Sequence, residues 1–210
     1  MGLYQKFFAH CLATGDAAQH RIYGERKRNL FADLSGTVVE IGPGTGINIP
    51  YLPDGIRWIG LEPNPHMHEF IRERLQERDI DAEIRDDPAQ DTGLPSASVD
   101  TVISTLVLCS VPSLEETLAE IHRILKPGGR LLFIEHVAAP DGSWLQWVQT
   151  GIKPLWRPLG DGCRPDRHTE AAIEAAGFSK VQYERFDVGL PVVSPHVLGV
   201  AQKAEAEGAD

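Results

Sequence analysis

Residues 38–46 read V-V-E-I-G-P-G-T-G, and this stretch is the most informative part of the sequence. Its β-branched start favours a buried strand. The three glycines that follow stand at alternate positions, so the turn lacks Cβ atoms and a ligand can lie against bare backbone. The next apolar run, at 58–61, ends in Glu62, where a carboxylate can accept hydrogen bonds from both hydroxyls of a ribose. Together the two motifs predict a site for a nucleoside-bearing cofactor.

The spacing of the glycines distinguishes between cofactors. The dinucleotide fingerprint G-x-G-x-x-G places its third glycine three residues after the second, but here that place is Ile47 and the pattern is G-x-G-x-G. Glu40, two residues before the first glycine, would repel a pyrophosphate but could serve a ligand that carries an ammonium group. S-adenosylmethionine has an adenosine, a sulfonium and an amino acid but no phosphate, so the sequence favours it as the cofactor.

The composition narrows the class of protein. At 210 residues with 42% hydrophobic content, the chain can bury one good core, and we expect a single domain over 1–210. Its formal net charge of -10 argues against binding to nucleic acid, because surfaces that track phosphates are usually basic. The expected partner is therefore a small molecule.

The cysteines and the apolar runs indicate the compartment. Cys11, Cys109 and Cys163 are far apart and form no C-x-x-C pair, so neither a disulfide framework nor a metal site is predicted. No apolar run approaches the roughly 18 to 20 residues of a membrane span, and the N-terminus lacks the apolar core of a signal peptide. We therefore predict a cytoplasmic protein, for which peripheral membrane contact stays open.

Strand and helix patterns alternate along the rest of the chain. One helix is predicted to begin at Asn64, with Pro65 at the first helical position. Another begins at Ser113, whose capping box is completed by Glu116, and stops at residues 126–129. Apolar strands that alternate with helices predict a parallel sheet covered on both faces, with ligands at the carboxyl ends of its strands. The strand candidates are 37–41, 57–61, 81–85, 99–104, 130–137, 179–184 and 196–202.

Several motifs in a fixed order support a family resemblance. E-x-G-x-G-x-G at 40–46 is followed by Glu62, by L-P-x-x-S-V-D at 94–100 and by L-K-P-G-G at 125–129. As a set over residues 30–138, they resemble a class I S-adenosylmethionine-dependent methyltransferase. The resemblance implies an α/β, single-domain Rossmann-like fold. Its seven-stranded, mostly parallel sheet would have an antiparallel last strand and helices on both faces.

A narrower resemblance extends through the second half of the chain. T-L-V-L-C-S-V at 105–111, E-H-V at 135–137, D-G-C at 161–163 and P-H at 195–196 are similar to the methyltransferase-like thiol S-methyltransferases of animal membranes and their bacterial relatives. The animal enzymes carry an N-terminal membrane anchor that this sequence lacks, so membrane attachment is not implied. Bacterial relatives with this pattern are also described as lipid-amine methyltransferases.

The family resemblance also implies a cofactor site. Glu40 and the glycine turn would hold the methionine end, and Glu62 would take the ribose hydroxyls. Asp87 and Ala89 would hold the adenine, although a proline stands at the usual place of the acid. Thr105 and Leu106, after the fourth strand, would approach the methyl group. The implied cofactor-binding residues are Glu40, Gly42, Gly44, Gly46, Asn48, Glu62, Pro63, Asn64, Asp87, Ala89, Thr105 and Leu106.

The catalytic candidates are His136, Asp161 and His196. His136, at the end of the fifth strand, could accept a proton from the acceptor or orient it; the alternative is a histidine that only bonds a neighbouring loop. Asp161 is alternatively a turn residue, and His196 could cap the last strand. A thiol with a pKa of about 8.5 is already partly thiolate at neutral pH, so a modest base suffices.

Three further segments of the chain have predicted structural roles. Residues 1–30 are expected to form a helical lid over the cofactor. Residues 140–165 are expected to be an acceptor-site insert, whose tryptophans form either an apolar pocket or a helix packed on the sheet. Residues 203–210 are polar and small, and we predict a frayed tail.

These motifs lead to a functional hypothesis with two alternatives. The sequence predicts methyl transfer from S-adenosylmethionine to a small, apolar acceptor, with S-adenosylhomocysteine as the product and a thiol as the leading acceptor. One alternative is an N-methyltransferase that acts on a lipid amine such as phosphatidylethanolamine. The other is a non-catalytic cofactor-binding or regulatory protein.

Overall fold

A seven-stranded sheet forms the centre of the computed structural model, which describes residues 2–206. The strands are β1 (Thr37–Ile41), β2 (Arg57–Leu61), β3 (Asp81–Arg85), β4 (Val99–Thr105), β5 (Leu125–His136), β6 (Lys180–Asp187) and β7 (Pro195–Gln202). Their order across the sheet is β3-β2-β1-β4-β5-β7-β6. The pairs from β3 to β5 are parallel, whereas β7 runs antiparallel to both β5 and β6. The predicted fold class is confirmed.

The helices alternate with the strands only in part: helices follow β2, β4 and β5, whereas β3 leads directly to β4 and β6 leads directly to β7. The helices are α1 (Gly2–Phe31), α2 (His68–Leu75), α3 (Leu114–Ile124), α4 (Trp144–Leu159) and α5 (Thr169–Ala175), with a short 3₁₀ helix at Ile49–Tyr51. The predicted N-cap of α3 at Ser113 is confirmed, because its side chain accepts a hydrogen bond from the Glu116 backbone N–H. The return bond to the Glu116 carboxylate, which would complete the predicted capping box, is not among the hydrogen bonds of these described residues. Among the helices of residues 2–206, none has the length and apolar content needed to cross a bilayer.

The alternating side chains of β1 join two halves of the core. Val39 and Ile41 pack on one face of the sheet in the cluster that contains Leu118 and Ile121 of α3. Val38 lies in the cluster on the other face, which includes Phe31 of α1. All of these side chains except Leu118, at 2%, are 0% exposed, so β1 is fixed on both faces and its carboxyl end is a firm base for the glycine turn.

Three boundaries differ from the predicted ones. Helix α2 begins at His68 rather than near Asn64, because the Asn64 side chain accepts from the His66 N–H and closes a separate turn. Strand β5 already begins at Leu125, and the expected helix stop lies inside it. The predicted tail is also held at its start, since Lys203 donates to the Gly129 carbonyl; residues 207–210 lie outside the described part of the chain.

Candidate active site

One cavity of about 780 Å³ lies at the carboxyl ends of the central strands. This volume is within the roughly 300 to 1,000 Å³ typical of small-molecule sites. At one end the cavity is lined by the glycine turn and Glu62, and at the other by His136 and Cys163. Side chains of α1 and the end of α4 complete its walls. The position agrees with the rule that parallel sheets bind ligands at the ends of their strands.

The glycine turn faces the cavity through its backbone. Gly42 (φ +55°) donates its N–H to the Leu61 carbonyl at 2.9 Å, which ties the turn to β2. Gly44 (φ +58°) lines the cavity, and a Cβ built there would meet no atom within 4 Å. Gly46 does not line the cavity; a Cβ there would lie 2.7 Å from Ile49 Cδ1. The missing side chain at Gly44 therefore leaves space for a ligand in the cavity, whereas the missing side chain at Gly46 leaves space for the buried side chain of Ile49.

Glu62 stabilises the turn from the end of β2. Its Oε2 accepts the Gly44 N–H at 2.8 Å and its Oε1 accepts the Asn64 N–H at 2.9 Å. The residue is 7% exposed. Burial raises the pKa of Glu62, although the two backbone donors act in the opposite direction. Since a carboxylate oxygen can accept a second hydrogen bond, Glu62 can hold the turn and still bind a hydroxyl in the cavity.

Glu40 lies behind the cavity rather than on it. Its carboxylate is fully buried and accepts hydrogen bonds from Trp58 Nε1 and from Asn48 Nδ2, both at 2.9 Å. Asn48 also donates to Thr105 Oγ1 at 3.0 Å, and Thr105 lines the cavity. Glu40 and Asn48 thus lie one layer behind the cavity wall, and Asn48 contacts Thr105, which forms part of that wall.

A buried lysine offsets the charge of Glu40. Lys27 of α1 is 0% exposed, and its Nζ lies 5.9 Å and 5.7 Å from the ring centres of Tyr23 and Tyr51. Burial lowers the pKa of Lys27 to about 8, and burial raises the pKa of Glu40 to about 7. Each group favours the charged form of the other, so α1 is electrostatically coupled to β1 close to the start of the glycine turn.

The segment expected to hold the adenine divides into two parts. Asp87 does not line the cavity, because its carboxylate is bound by Arg85 Nε at 2.6 Å. Pro88, Ala89 and Gln90 do line it. Asp87 is thus drawn back along β3, and Gln90, which sequence reasoning missed, is the polar side chain of this segment that faces the cavity.

The opposite end of the cavity holds a buried cluster of two cysteines and a histidine. His136 Nε2 lies 2.9 Å from Cys163 Sγ, and Trp156 Nε1 donates to the same sulfur at 3.3 Å. Cys109 Sγ completes a set of three ligand atoms within 4.8 Å of one another. The contact with Cys109, and then that with His136, hold the pKa of Cys163 well below its usual range. The same sulfur contact, together with burial, raises the pKa of Cys109.

The other two catalytic candidates also line the cavity but have different surroundings. His196 Nδ1 donates to the Ser194 carbonyl at 3.0 Å, and Tyr23 Oη donates to its Nε2 at 2.9 Å. Burial lowers the pKa of His196 to about 4, so it is a neutral ring that positions Tyr23. Asp161 has φ +48° in a turn, and burial raises its pKa.

Most of the predicted site residues meet in this cavity. Four cofactor candidates do not line it: Glu40, Gly46, Asn48 and Asp87. The candidates that do line it are Gly42, Gly44, Glu62, Pro63, Asn64, Ala89, Thr105, Leu106, His136, Asp161 and His196. Gln19 and Tyr23 of α1 also line the cavity but were not predicted from the sequence. Nothing in the sequence of a long helix indicates which of its residues will face a ligand.

The geometry of this cavity fits S-adenosylmethionine. The open space at Gly44 accommodates a ligand against the backbone, and Glu62 offers its carboxylate beside it. The lining between Leu61 and Leu106 is mostly apolar or uncharged. No phosphate-binding helix N-terminus follows the turn, because the next element is the 3₁₀ helix at Ile49–Tyr51.

Comparison with known proteins agrees with this geometry. Residues 39–133 match the family model described as a methyltransferase domain. Thiol S-methyltransferase TMT1B of Homo sapiens is 38% identical over 96% of this chain and 88% of its own length. This chain is a class I methyltransferase. It is an enzyme, and S-adenosylmethionine is its cofactor.

Two further proteins are more distantly similar to this methyltransferase. Phosphatidylethanolamine N-methyltransferase of Cereibacter sphaeroides is 28% identical over 66% of each chain. A solved structure from Thermotoga maritima, described as a SAM-dependent methyltransferase and possible histamine N-methyltransferase, has a TM-score of 0.68. It is 23% identical over 97% of this chain and 99% of its own, and this likeness shows the shared fold.

Proposed function

We propose that this methyltransferase methylates the sulfur of a small, apolar thiol. The observation that carries the proposal is the 38% identity to a protein described as a thiol S-methyltransferase, since the match spans 96% of the chain. The matched region therefore covers both ends of the cavity: the end at the glycine turn and Glu62, here called the cofactor end, and the end at His136 and Cys163, here called the acceptor end. The walls of that end include Leu190, Val193 and Trp156, which suit an apolar acceptor.

The cofactor is proposed to lie along the glycine turn. The backbone of Gly42 and Gly44 would hold its methionine end, and Glu62 would accept hydrogen bonds from its ribose hydroxyls. Behind this contact layer, Glu40 and Asn48 position Thr105. The residues proposed to line the adenosine and the methyl group are Pro63, Asn64, Ala89, Gln90, Thr105 and Leu106.

The acceptor sulfur would then attack the methyl carbon in line with the bond that breaks. When bound, the cofactor supplies a methyl group on a positively charged sulfur, and this charge disappears in the reaction. The protein contributes chiefly by alignment, which can supply roughly 7 to 11 kcal/mol. The thiol must also lose its proton, and His136 is the candidate group at that end. Asp161 and His196 are proposed to shape the acceptor end.

A matched acceptor panel tests this function. The purified enzyme would be incubated with methyl-labelled S-adenosylmethionine and with benzenethiol, aniline or phenol, which differ in the accepting atom. We expect label in the thiol product at a rate at least tenfold above that for the amine and the phenol, since thiolates are the strongest nucleophiles of the three near neutral pH. Transfer to the amine but not to the thiol would contradict the proposal.

A lipid amine is the second candidate acceptor, and exposed apolar side chains beside the cavity favour it. Trp144, Trp147 and Leu155 of α4 are 74%, 75% and 72% exposed. Phe7 of α1 is 68% exposed, and Tyr4 joins the two helices by donating to the Pro158 carbonyl at 2.7 Å. Such a surface suits contact with lipid. Label transferred to phosphatidylethanolamine in vesicles, without transfer to benzenethiol, would support this candidate instead.

A further inference from the structure

The strongest feature outside the cofactor end is the cluster of Cys109, His136 and Cys163. The three side chains come from the loop after β4, the end of β5 and the loop after α4. They are 2%, 4% and 8% exposed. Two soft sulfur ligands and an imidazole at this separation are a typical donor set for zinc. Each of the three residues also lies in one of the motifs that mark the narrower family resemblance.

We propose that Cys109 Sγ, His136 Nε2 and Cys163 Sγ bind a zinc ion, whose fourth position opens into the cavity. A tetrahedral zinc ion with these donors needs S···S and S···N separations of roughly 3.5 to 3.8 Å. The three atoms lie within 4.8 Å of one another, and the 2.9 Å contact of His136 with Cys163 would open slightly. The site therefore needs only small side-chain movements to form.

Backbone contacts hold the three segments together. The Arg164 N–H donates to the Cys109 carbonyl at 3.0 Å, and the Ala138 N–H donates to the Arg167 carbonyl at 2.9 Å. The Arg167 side chain adds hydrogen bonds to the carbonyls of Leu108 and Val111, at 2.6 Å and 2.9 Å. The ligand loops are thus fixed relative to one another by contacts that do not involve the ligand atoms themselves.

The charge of the three ligand groups and their outer contacts also suit a divalent cation. A divalent ion bound by two thiolates and a neutral imidazole gives a site without net charge. Trp156 Nε1 already donates to Cys163 Sγ, and such outer contacts orient metal ligands and tune the metal. All three ligand residues line the cavity, which is the arrangement of a catalytic rather than a closed structural zinc site.

The open position would bind the acceptor, and this step rests on the proposed thiol methylation. With His136 Nε2 bound to the metal, the zinc ion takes over the role given above to His136, because a bound metal ion favours the thiolate. A thiol RSH would release its proton to solvent on binding and occupy the fourth position as a thiolate. A sulfur electron pair then forms the new S–CH₃ bond, while the bond between that methyl carbon and the donor sulfonium breaks and leaves its electron pair on the departing sulfur. The product thioether is neutral and a weaker ligand, so it would leave the metal.

Metal binding is tested directly on the untagged, reduced enzyme. We expect about one zinc per chain by elemental analysis, and cobalt substitution should give sulfur-to-cobalt charge-transfer bands with the strong visible absorption of a tetrahedral site. Cys109→Ser and Cys163→Ser should each weaken zinc binding more than about 100-fold, because even outer-contact changes cost 10- to 100-fold. Cys11→Ser, at an exposed cysteine of α1, is the matched control and should bind zinc normally.

Measurements on the wild-type enzyme do not depend on whether the variants fold. Absence of zinc and of cobalt charge-transfer bands in the reduced wild type would overturn the site, as would a Cys109–Cys163 disulfide found in place of the metal. If the enzyme methylates benzenethiol at full rate without metal, the zinc site is wrong and the proposed function stands. If metal binds but no thiol is methylated, the proposed function is wrong.

Acceptor binding is tested on the cobalt enzyme. Benzenethiol should add a further charge-transfer band and shift the visible absorption, whereas aniline should leave the spectrum unchanged. An unchanged spectrum with benzenethiol at concentrations that saturate its methylation would overturn the ligation of the acceptor.

Discussion

The two ends of the cavity are built in different ways. At the cofactor end, the contacts come from β1, β2 and the turns that follow them, and backbone donors such as the Gly44 N–H hold Glu62 in place. At the acceptor end, side chains from distant parts of the chain meet, and the contacts between His136, Cys163 and Trp156 are between side chains. The cofactor end is thus fixed by the sheet, whereas the acceptor end depends on loops and helices packed around it.

Because of this difference, the two ends of the cavity should tolerate different kinds of substitution. Backbone geometry at the cofactor end tolerates little change, because the glycines have positive φ angles and β1 is buried on both faces. The acceptor end can exchange side chains on loops without disturbing the sheet. Relatives with different acceptors can therefore share one cofactor site, and substitutions at the two ends should affect different quantities.

The largest expected effect is on stability, at Gly46. Gly46→Ala would place a Cβ 2.7 Å from Ile49 Cδ1 and 3.3 Å from Ile71 Cα at φ +77°. We expect the free energy of unfolding to fall by about 2 to 4 kcal/mol from backbone strain and overpacking. Gly44→Ala is the matched control: it meets no atom within 4 Å and should cost only about 1 kcal/mol. Urea denaturation measures both, and equal losses would contradict this division of roles.

The next effect is on cofactor affinity, at Glu62. Glu62→Ala removes the acceptor for two backbone N–H groups and the proposed partner of the ribose. Hydrogen bonds to a charged group contribute about 1.5 to 3 kcal/mol, so binding of S-adenosylhomocysteine should weaken roughly 10- to 100-fold. Calorimetric titration measures this change. Glu83→Ala, at an exposed ion pair with Arg57, should bind normally, and unchanged affinity in Glu62→Ala would refute the ribose assignment.

Arg167 tests the acceptor end separately. Arg167→Gln removes the hydrogen bonds to the carbonyls of Leu108 and Val111, so the loop that carries Cys109 should loosen. We expect the KM for the acceptor to rise about tenfold, equivalent to about 1.4 kcal/mol, while affinity for S-adenosylhomocysteine changes less than about twofold. Arg164→Gln, which loses only a 3.5 Å contact with the Pro112 carbonyl, should have little effect. A loss of cofactor affinity in Arg167→Gln would show that the two ends are not independent.

The smallest expected effect is a pH dependence from His196. Its pKa of about 4 in the folded state lies below the usual 6.5, so the neutral ring stabilises the fold above pH 6.5 and this contribution is lost as the pH falls toward 4. Between about pH 7 and about pH 5, the wild type should lose about 1 to 2 kcal/mol more than His196→Gln, which does not titrate. Urea denaturation at both pH values measures the difference. Parallel losses in the two proteins would mean that His196 is not held neutral.

The sequence predicted the fold closely, because its patterns are local. The seven strand candidates match β1 to β7, with β5 extended to Leu125. The cap at Ser113 depends on residues three apart and is confirmed. The start of α2 was wrong because Asn64 can cap either a helix or a separate turn, and the choice depends on neighbours that are remote in the chain.

The lining of the cavity follows from the sequence only where it depends on local patterns. Gly42, Gly44 and Glu62 stand at the ends of adjacent parallel strands, so local patterns bring them together. Asp87 is assigned to the adenine from the sequence, but in the structure Arg85 Nε binds its carboxylate and the residue does not line the cavity. Such a competing partner cannot be weighed from the sequence. Glu40 was placed in contact with the cofactor, but its buried partners, Trp58 and Asn48, hold it behind the cavity wall.

The sequence alone determined the methyl donor, since the strand, the glycine turn and the acid of the next strand are read within some 25 residues. Only the tertiary structure brought Cys109, His136 and Cys163 together. The spacing of these three residues along the chain matches no metal-binding motif. Their proximity is set by how the segments after β4, β5 and α4 pack, rather than by any local period. Backbone geometry specifies the cofactor end, and side-chain convergence specifies the acceptor end.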